Sequence, residues 1–321
     1  VNKEIKVLSV VLSFYNEENV IEELVNRLEN VFKKDLKGVV SDHELILVND
    51  ASTDKSKEIL IRLSKNNKSI KIVNMSRNFG VSPCVLAGMA FSSGDAVVYM
   101  DADLQDPPEV IPEMVKVWLN GDADIVDTRR VSRAGESKIK LLITKIGYLT
   151  LNKVSSVNIE PEVGDFKLLS RRAVNELIKL KEKKPFTRGL VRWIGFKQET
   201  IYYNRDARYA GETKFKVYGR KVISNFLDSA LISFSSIPLK VSLFIGFLVS
   251  AGAFCFLIVI FIMKFLQLSL PGWSAIMATI LMLGGIQLLT IGMLGLYINS
   301  IFLETKGRPN YIVESTHGFN E

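Results

Sequence analysis

Val97-Val-Tyr-Met-Asp-Ala-Asp-Leu-Gln-Asp-Pro-Pro-Glu109 is an apolar, strand-like run that stops abruptly at Asp101 and Asp103. In an extended segment, alternation by two points both carboxylates to one side, and Gln105 continues the row. Hard oxygen ligands set this way can grip Mg²⁺ or Mn²⁺. Magnesium held by few protein oxygens completes its shell with waters and substrate phosphates, so the run points to a diphosphate-bearing ligand. The alternative is an acidic turn capping a helix started by Pro107 and Pro108. An EF-hand is excluded, because Asp106 stands where the loop needs Gly and Pro112 where it needs Glu.

Working outward, the first 130 or so residues alternate strands and helices, as a parallel sheet covered on both faces requires. Strands are expected over 6–14, 44–49, 70–75, 96–100 and 124–128, with helices near 19–33, 54–65, 81–92 and 109–119. In open sheets of this kind, ligands bind beyond the carboxyl ends of the strands. The polar clusters fall there: Tyr15-Asn-Glu17, Asp50-Ala-Ser-Thr-Asp54, Ser76-Arg-Asn78 and Asp101-Ala-Asp103. No Gly-x-Gly-x-x-Gly or Walker sequence occurs at these turns, which argues against a dinucleotide enzyme or a P-loop phosphatase.

The chain has 321 residues, of which 48% are hydrophobic, and the apolar excess sits late. Residues 241–263 carry no charge, and after Lys264 the next charged residue is Glu304, with Pro271-Gly-Trp273 as the turn signal between. A span needs roughly 20 apolar residues, so segments near 241–263 and 275–300 read as a helical hairpin crossing a bilayer twice. Arg220, Lys221 and Lys240 precede the hairpin and Lys306 and Arg308 follow it, against Lys264 alone inside it. The positive-inside rule then places both ends in the cytoplasm, as an integral protein of the cytoplasmic membrane. The opening residues 1–14, a charged mixture followed by a strand, do not read as a signal peptide.

The net charge of +7 accompanies no nucleic-acid recognition motif, and anionic lipid is the partner it fits, so no nucleic-acid partner is expected. Cys84 and Cys255 imply no disulfide framework. Between sheet and hairpin, Phe215, Tyr218, Val222, Phe226, Ala230, Phe234 and Ile237 recur at three or four residues, behind Lys214, Lys216, Arg220 and Lys221. That pattern is an amphipathic helix, lying in the lipid interface or, alternatively, facing a core. The expected layout is a catalytic domain over 1–213, a juxtamembrane helix region over 214–238, two membrane helices within 239–303 and a cytoplasmic tail over 304–321. Small residues in the spans, Gly246 with Ser250 and Gly284-Gly285 with Gly292, would permit close helix packing and a homo-oligomer.

Taken in order, Val11-Leu-Ser-Phe-Tyr-Asn-Glu-Glu18, Val48-Asn-Asp-Ala-Ser-Thr-Asp54, Ser76-Arg-Asn-Phe-Gly80, Met100-Asp-Ala-Asp-Leu-Gln-Asp-Pro-Pro-Glu109, Gly164-Asp-Phe166, Arg188-Gly189 and Arg208-Tyr-Ala-Gly-Glu-Thr-Lys214 carry a resemblance. The chain resembles the membrane-anchored polyprenyl-phosphate glycosyltransferases of glycosyltransferase family 2, in the dolichyl-phosphate mannose synthase group. Its two spans look most like the bacterial members that load glucose onto undecaprenyl phosphate. It departs at Asn49, often a second Asp in the family, and at Thr213, often Ser.

The resemblance implies an α/β fold of the GT-A type: an open, mostly parallel sheet, with amphipathic helices and the two-helix transmembrane hairpin appended. It implies nucleotide contacts at Tyr15, Glu17, Asp50 and Arg77, a metal and diphosphate loop at Asp101, Asp103 and Gln105, and an acid/base position at Asp165. The expected cofactor is Mg²⁺ or Mn²⁺. The expected partners are a nucleotide-sugar donor, UDP-glucose being favoured over GDP-mannose, a polyprenyl phosphate acceptor and the lipid bilayer.

A phosphate acceptor needs no strong base, because its second pKa is about 6 and it arrives mostly dianionic. What it needs is a cationic cradle, which Arg205, Arg208 and Lys214 would supply, with Arg129 and Arg188 as weaker candidates. In-line displacement at the anomeric carbon, with inversion, is the expected reaction. A processive polysaccharide synthase is the nearest rival, since Leu190-Val-Arg-Trp193 resembles part of its Gln-x-x-Arg-Trp element without the Gln. A non-catalytic membrane scaffold is the rival from another class.

Overall fold

The computed structural model describes residues 5–121, 123–130, 163–204, 237–266 and 272–319. In chain order the elements are β1 (Ile5–Phe14), α1 (Ile21–Lys34), β2 (Val40–Asn49), α2 (Ser56–Asn66), β3 (Ile70–Met75), α3 (Val81–Phe91), β4 (Ala96–Asp101), α4 (Ile111–Leu119) and β5 (Ile125–Arg130). They continue with β6 (Val163–Ser170), α5 (Arg171–Lys179), α6 (Thr187–Trp193), β7 (Gln198–Tyr203), α7 (Ile237–Phe265), α8 (Trp273–Thr305) and β8 (Val313–His317). The strands form one eight-stranded sheet of order β7-β5-β6-β4-β1-β2-β3-β8. Pairing is parallel from β4 through β1 and β2 to β3 and between β5 and β7, and antiparallel where β6 and β8 join.

The central strands are apolar throughout because both sheet faces are covered: Leu8, Val10, Val11, Leu12 and Phe14 of β1 are all fully buried. Helix α1 buries Ile21, Leu24, Val25, Leu28, Val31 and Phe32, a stripe at helical spacing. Glu22 and Glu23 in its first turn and Lys33 and Lys34 in its last complement its dipole. Helix α3 lies so close to the sheet that a Cβ at Gly88 would stand 2.3 Å from Cγ1 of Val11 and 3.0 Å from Cγ2 of Val48.

The chain divides into two compact units, one built on the sheet and one holding α7 and α8. The last residues, expected as a tail, form β8, which caps the β3 edge antiparallel with Asn74 opposite Ser315. Beyond it the Phe319 ring packs on Phe91, 5.3 Å between centroids.

The second unit corrects the two-crossing expectation. Within α8, Met282–Thr305 is long and apolar enough to cross a membrane, at 24 residues. The apolar run of described residues in α7 is Ser242–Phe256, short of the roughly 20 residues a span requires. One stretch of described residues therefore qualifies as a span where two were expected. Around α8 the apolar side chains Leu288, Leu289, Ile291, Leu294, Ile298 and Ile301 are all exposed, a surface suited to lipid. The amphipathic region 214–236 lies outside the described residues, as does the basic stretch 132–153.

Candidate active site

The parallel run β3-β2-β1-β4 brings four carboxyl-terminal loops side by side, because register aligns their last residues: Phe14 with Asn49, Asn49 with Asn74, and Ser13 with Asp101. The first two loops are laced together. Asn16 N–H donates to Ser52 Oγ at 3.1 Å, Thr53 N–H to Asn16 Oδ1 at 2.8 Å, and Glu17 N–H to Ser56 Oγ at 3.0 Å. Asn16, Ala51 and Leu104, one in each of three rim loops, hold left-handed φ values of 54°, 55° and 56°. Such backbone strain persists only where the surroundings over-determine it.

Tyr15, Glu17 and Asp50 thus stand together on this rim, as expected. Asp50, buried, accepts from the backbone N–H groups of Phe79 at 2.7 Å and Gly80 at 2.9 Å, so its carboxylate also fixes the loop that carries Arg77. The Arg77 guanidinium lies over the Phe79 ring, 4.1 Å from its centroid.

At the end of β4 the charges concentrate. Burial, followed by the charges of Asp165, Asp106 and Asp103, pushes the Asp101 carboxyl up to about 7, with Arg188 acting against them. Asp103 Oδ1 accepts from the Gln105 N–H at 3.2 Å. Asp106, fully buried, accepts from the Tyr203 hydroxyl. Nη2 of Arg130 is 3.5 Å from the same carboxylate oxygen, and Arg130 Nε donates to the Tyr203 oxygen at 3.2 Å. Gly164 leaves room for that guanidinium: a Cβ there would stand 3.2 Å from Arg130 Nη2.

Antiparallel pairing of β6 with β4 delivers Asp165 beside this cluster. Burial raises its carboxyl, but the charge and hydrogen bonds of Arg188, with Lys167 and Arg130 behind, more than offset this and hold it below the usual carboxylate range. Arg188 donates to Asp165 Oδ2 through Nε at 2.9 Å and through Nη2. One turn further along α6, Arg192 reaches 2.9 Å from Asp127, whose other oxygen accepts from the fully buried Lys167. Helix α6 is therefore pinned to the sheet by two rungs, Asp165–Arg188 at the rim and Lys167–Asp127–Arg192 beneath.

Tyr99, two residues before Asp101 and level with Lys167, buries its phenol among these carboxylates. Burial, then Asp165 and Asp127, keeps its proton on.

Of the expected acceptor-site cations, Arg188 is engaged by Asp165, and the Arg129 guanidinium lies 6.0 Å from the centre of the Tyr202 ring. Arg205, Arg208 and Lys214 fall outside the described residues. Sequence reading missed Asp106, Asp127, Arg130, Lys167 and Tyr203. The one available signal was parity, since Asp165 and Lys167 must share a face of β6. Arg192, read as part of a processive-synthase element, is instead a counter-ion to a buried carboxylate.

Among the described residues, no group of three or more His, Cys, Asp or Glu side chains is placed to hold a metal by itself. The donor set still fits a hard cation that keeps most of its shell for waters and ligand phosphates. Asp101 and Asp103 are oxygen donors at a strand mouth, and the repulsion at Asp101 is what a divalent charge relieves.

The family described as Glycosyl transferase family 2 matches residues 9–178. The uncharacterized glycosyltransferase YkcC of Bacillus subtilis is 40% identical over 311 residues, covering 97% of this chain and 94% of that protein. The uncharacterized glycosyltransferase sll0501 of Synechocystis is 38% identical over 312 residues, covering 97% and 96%. The bactoprenol glucosyl transferase of Shigella phage SfII is 35% identical over 315 residues, covering 98% and 99%.

Proposed function

This chain belongs to glycosyl transferase family 2 and is a glycosyltransferase, and from that premise we propose that it moves glucose from UDP-glucose onto a polyprenyl phosphate, undecaprenyl phosphate, at the cytoplasmic face of the membrane. The products are a polyprenyl monophosphosugar and UDP. The observation that carries this reading is the pairing of a strand-end Asp101/Asp103 rim with Asp165 held in an ion pair by Arg188. Full-length similarity to a bactoprenol glucosyl transferase supports the choice of sugar and acceptor.

In this reading Tyr15, Glu17, Asp50 and Arg77 bind the nucleotide. Asp101, Asp103 and Gln105 hold Mg²⁺ or Mn²⁺, which when bound supplies Lewis-acid stabilisation of the diphosphate. Asp165 orients the attack and stabilises charge at the sugar carbon. Arg188, already engaged, keeps Asp165 ionised. The acceptor phosphate falls to Arg205, Arg208 and Lys214, with Arg129. The acceptor oxygen attacks the anomeric carbon as the bond to the UDP oxygen breaks, with inversion. Met282–Thr305 of α8, long and apolar enough to cross a bilayer, supplies the membrane anchor.

Full-length protein in detergent with undecaprenyl phosphate and radiolabelled UDP-glucose tests this. One sugar per lipid, extractable into organic solvent and of inverted configuration by NMR, is expected. Absence of organic-phase product with UDP-glucose overturns the donor and acceptor assignment, and retained configuration overturns the displacement.

A further inference from the structure

Strand β8 does more than close a sheet edge. Asn74 Nδ2 donates to Ser315 Oγ at 3.0 Å, Asn49 Nδ2 donates to Asn74 Oδ1 at 3.0 Å, and Ser52 N–H donates to Asn49 Oδ1 at 3.1 Å. Both amides are 1% exposed. The direction of this relay is fixed at one end, because a backbone N–H only donates. Ser52 therefore makes the Asn49 oxygen an acceptor, which turns its NH₂ to Asn74, which in turn aims the NH₂ of Asn74 at Ser315. An amide at 49 does here what a carboxylate cannot, since an ionised Asp would have no proton to give Asn74.

The turn that ends at Ser52 contains Ala51, with its left-handed φ of 55°, and Asp50, whose carboxylate holds Phe79 and Gly80. A second tie comes from the residue just before the strand: Ser76 N–H donates to Ile312 O at 3.0 Å, next to the β3–β8 register shift between Asn74 and Met75. Two of the three loops assigned to the nucleotide, those of Asp50 and Arg77, are thus anchored at their roots by Ile312 and Ser315.

We infer that the C-terminal strand is part of the donor site, with Ser315 a positioning residue that sets the Asp50 and Arg77 loops for a nucleoside diphosphate through Asn74 and Asn49. This rests on the nucleotide assignment made above. Removing the Ser315 hydroxyl leaves a buried amide N–H of Asn74 without its acceptor, and the turn loses the restraint that holds Ala51 in its strained conformation.

The test uses full-length protein in detergent, with UDP and Mg²⁺ in titration calorimetry and UDP-glucose in steady-state transfer. Ser315→Ala is expected to raise the UDP Kd and the UDP-glucose KM about tenfold, with kcat and the KM for undecaprenyl phosphate within about twofold of the parent. Ser315→Thr, which keeps the hydroxyl, is expected to restore both donor constants. An unchanged UDP Kd in Ser315→Ala, a Thr variant as impaired as the Ala variant, or a loss shared equally by kcat and acceptor KM overturns the inference while the donor assignment stands. A parent protein that binds no UDP overturns the donor assignment, and the inference with it.

Discussion

Arg188 donates twice to a single oxygen of Asp165, from Nε at 2.9 Å and from Nη2, so one guanidinium fixes both the charge and the direction of that carboxylate. Breaking this partly buried pair by removing one partner leaves an uncompensated charge. Arg188→Met should lower kcat by about 100-fold, ~2.7 kcal/mol of transition-state stabilisation. Asp165 is held below the usual range while Arg188 is present, so its charge persists down to low pH. In the variant that restraint is gone and burial dominates, so the acid limb of the kcat profile should move to higher pH. Rates measured between pH 5 and 8 check both, and an unshifted acid limb would separate Arg188 from Asp165.

Divalent cation should be required, and Asp101 should be where the requirement is felt. Asp101 sits beside Asp103, Asp106 and Asp165, a repulsive set that a divalent charge relieves. Chelation with EDTA should abolish transfer, and added Mg²⁺ or Mn²⁺ should restore it. Asp101→Asn should raise the Mg²⁺ concentration for half-maximal activity by about tenfold or more. Full activity in EDTA would remove the metal role from this loop.

Far from the rim, Glu29 is a stability element with a defined pH window. Its Oε1 accepts from His43 at 3.3 Å, Asn67 at 2.6 Å and Ser69 at 2.9 Å, tying α1 to β2 and to the turn before β3. The His43 hydrogen bond first, against burial and aided by Asn67 and Ser69, lowers its pKa from 4.5 to about 2. A carboxylate depressed on folding contributes stability above its unfolded pKa and loses it as pH falls toward the folded value. Glu29→Gln should therefore cost on the order of 2 kcal/mol at pH 7, about 4 °C in Tm. That gap should shrink below pH 4.5 and be nearly closed by pH 2. A Tm difference that stays constant from pH 7 to pH 3 would show that the loss is packing and not charge.

Gly88→Ala should destabilise the sheet unit by about 2 kcal/mol, because the new methyl meets Val11 Cγ1 at 2.3 Å and Val48 Cγ2 at 3.0 Å on stiff, buried strand residues. Adding Val11→Ala makes room on the closer side. The double variant should be more stable than the sum of the single losses by about 1 kcal/mol. Strict additivity in thermal unfolding would mean that α3 moves away from the sheet instead.

The rim was legible because its parts are local. Each polar cluster directly follows an apolar strand in sequence, so Tyr15, Glu17, Asp50, Asp101 and Asp103 could be named before any pairing was known. The partners of these groups were not readable. Arg188 meets Asp165 across 23 residues, Lys167 meets Asp127 across 40, and Asn74 meets Ser315 across 241. No periodicity spans such separations.

By itself the sequence determined an α/β sheet with its polar rim at strand ends, and a late apolar region long enough for a membrane-length helix. Hydrophobic periodicity and strand-end polarity are local properties, and they survive without knowledge of strand order. The tertiary structure decided which charges neutralise one another. Placing β6 between β5 and β4 sets Lys167 beside Asp127, and Asp165 within reach of α6. Placing β8 on β3 turns a C-terminal segment into a support for the Asp50 turn. Burial makes those pairings obligatory, since a charge or amide taken out of water must find a partner, and only the strand order says which partner is there.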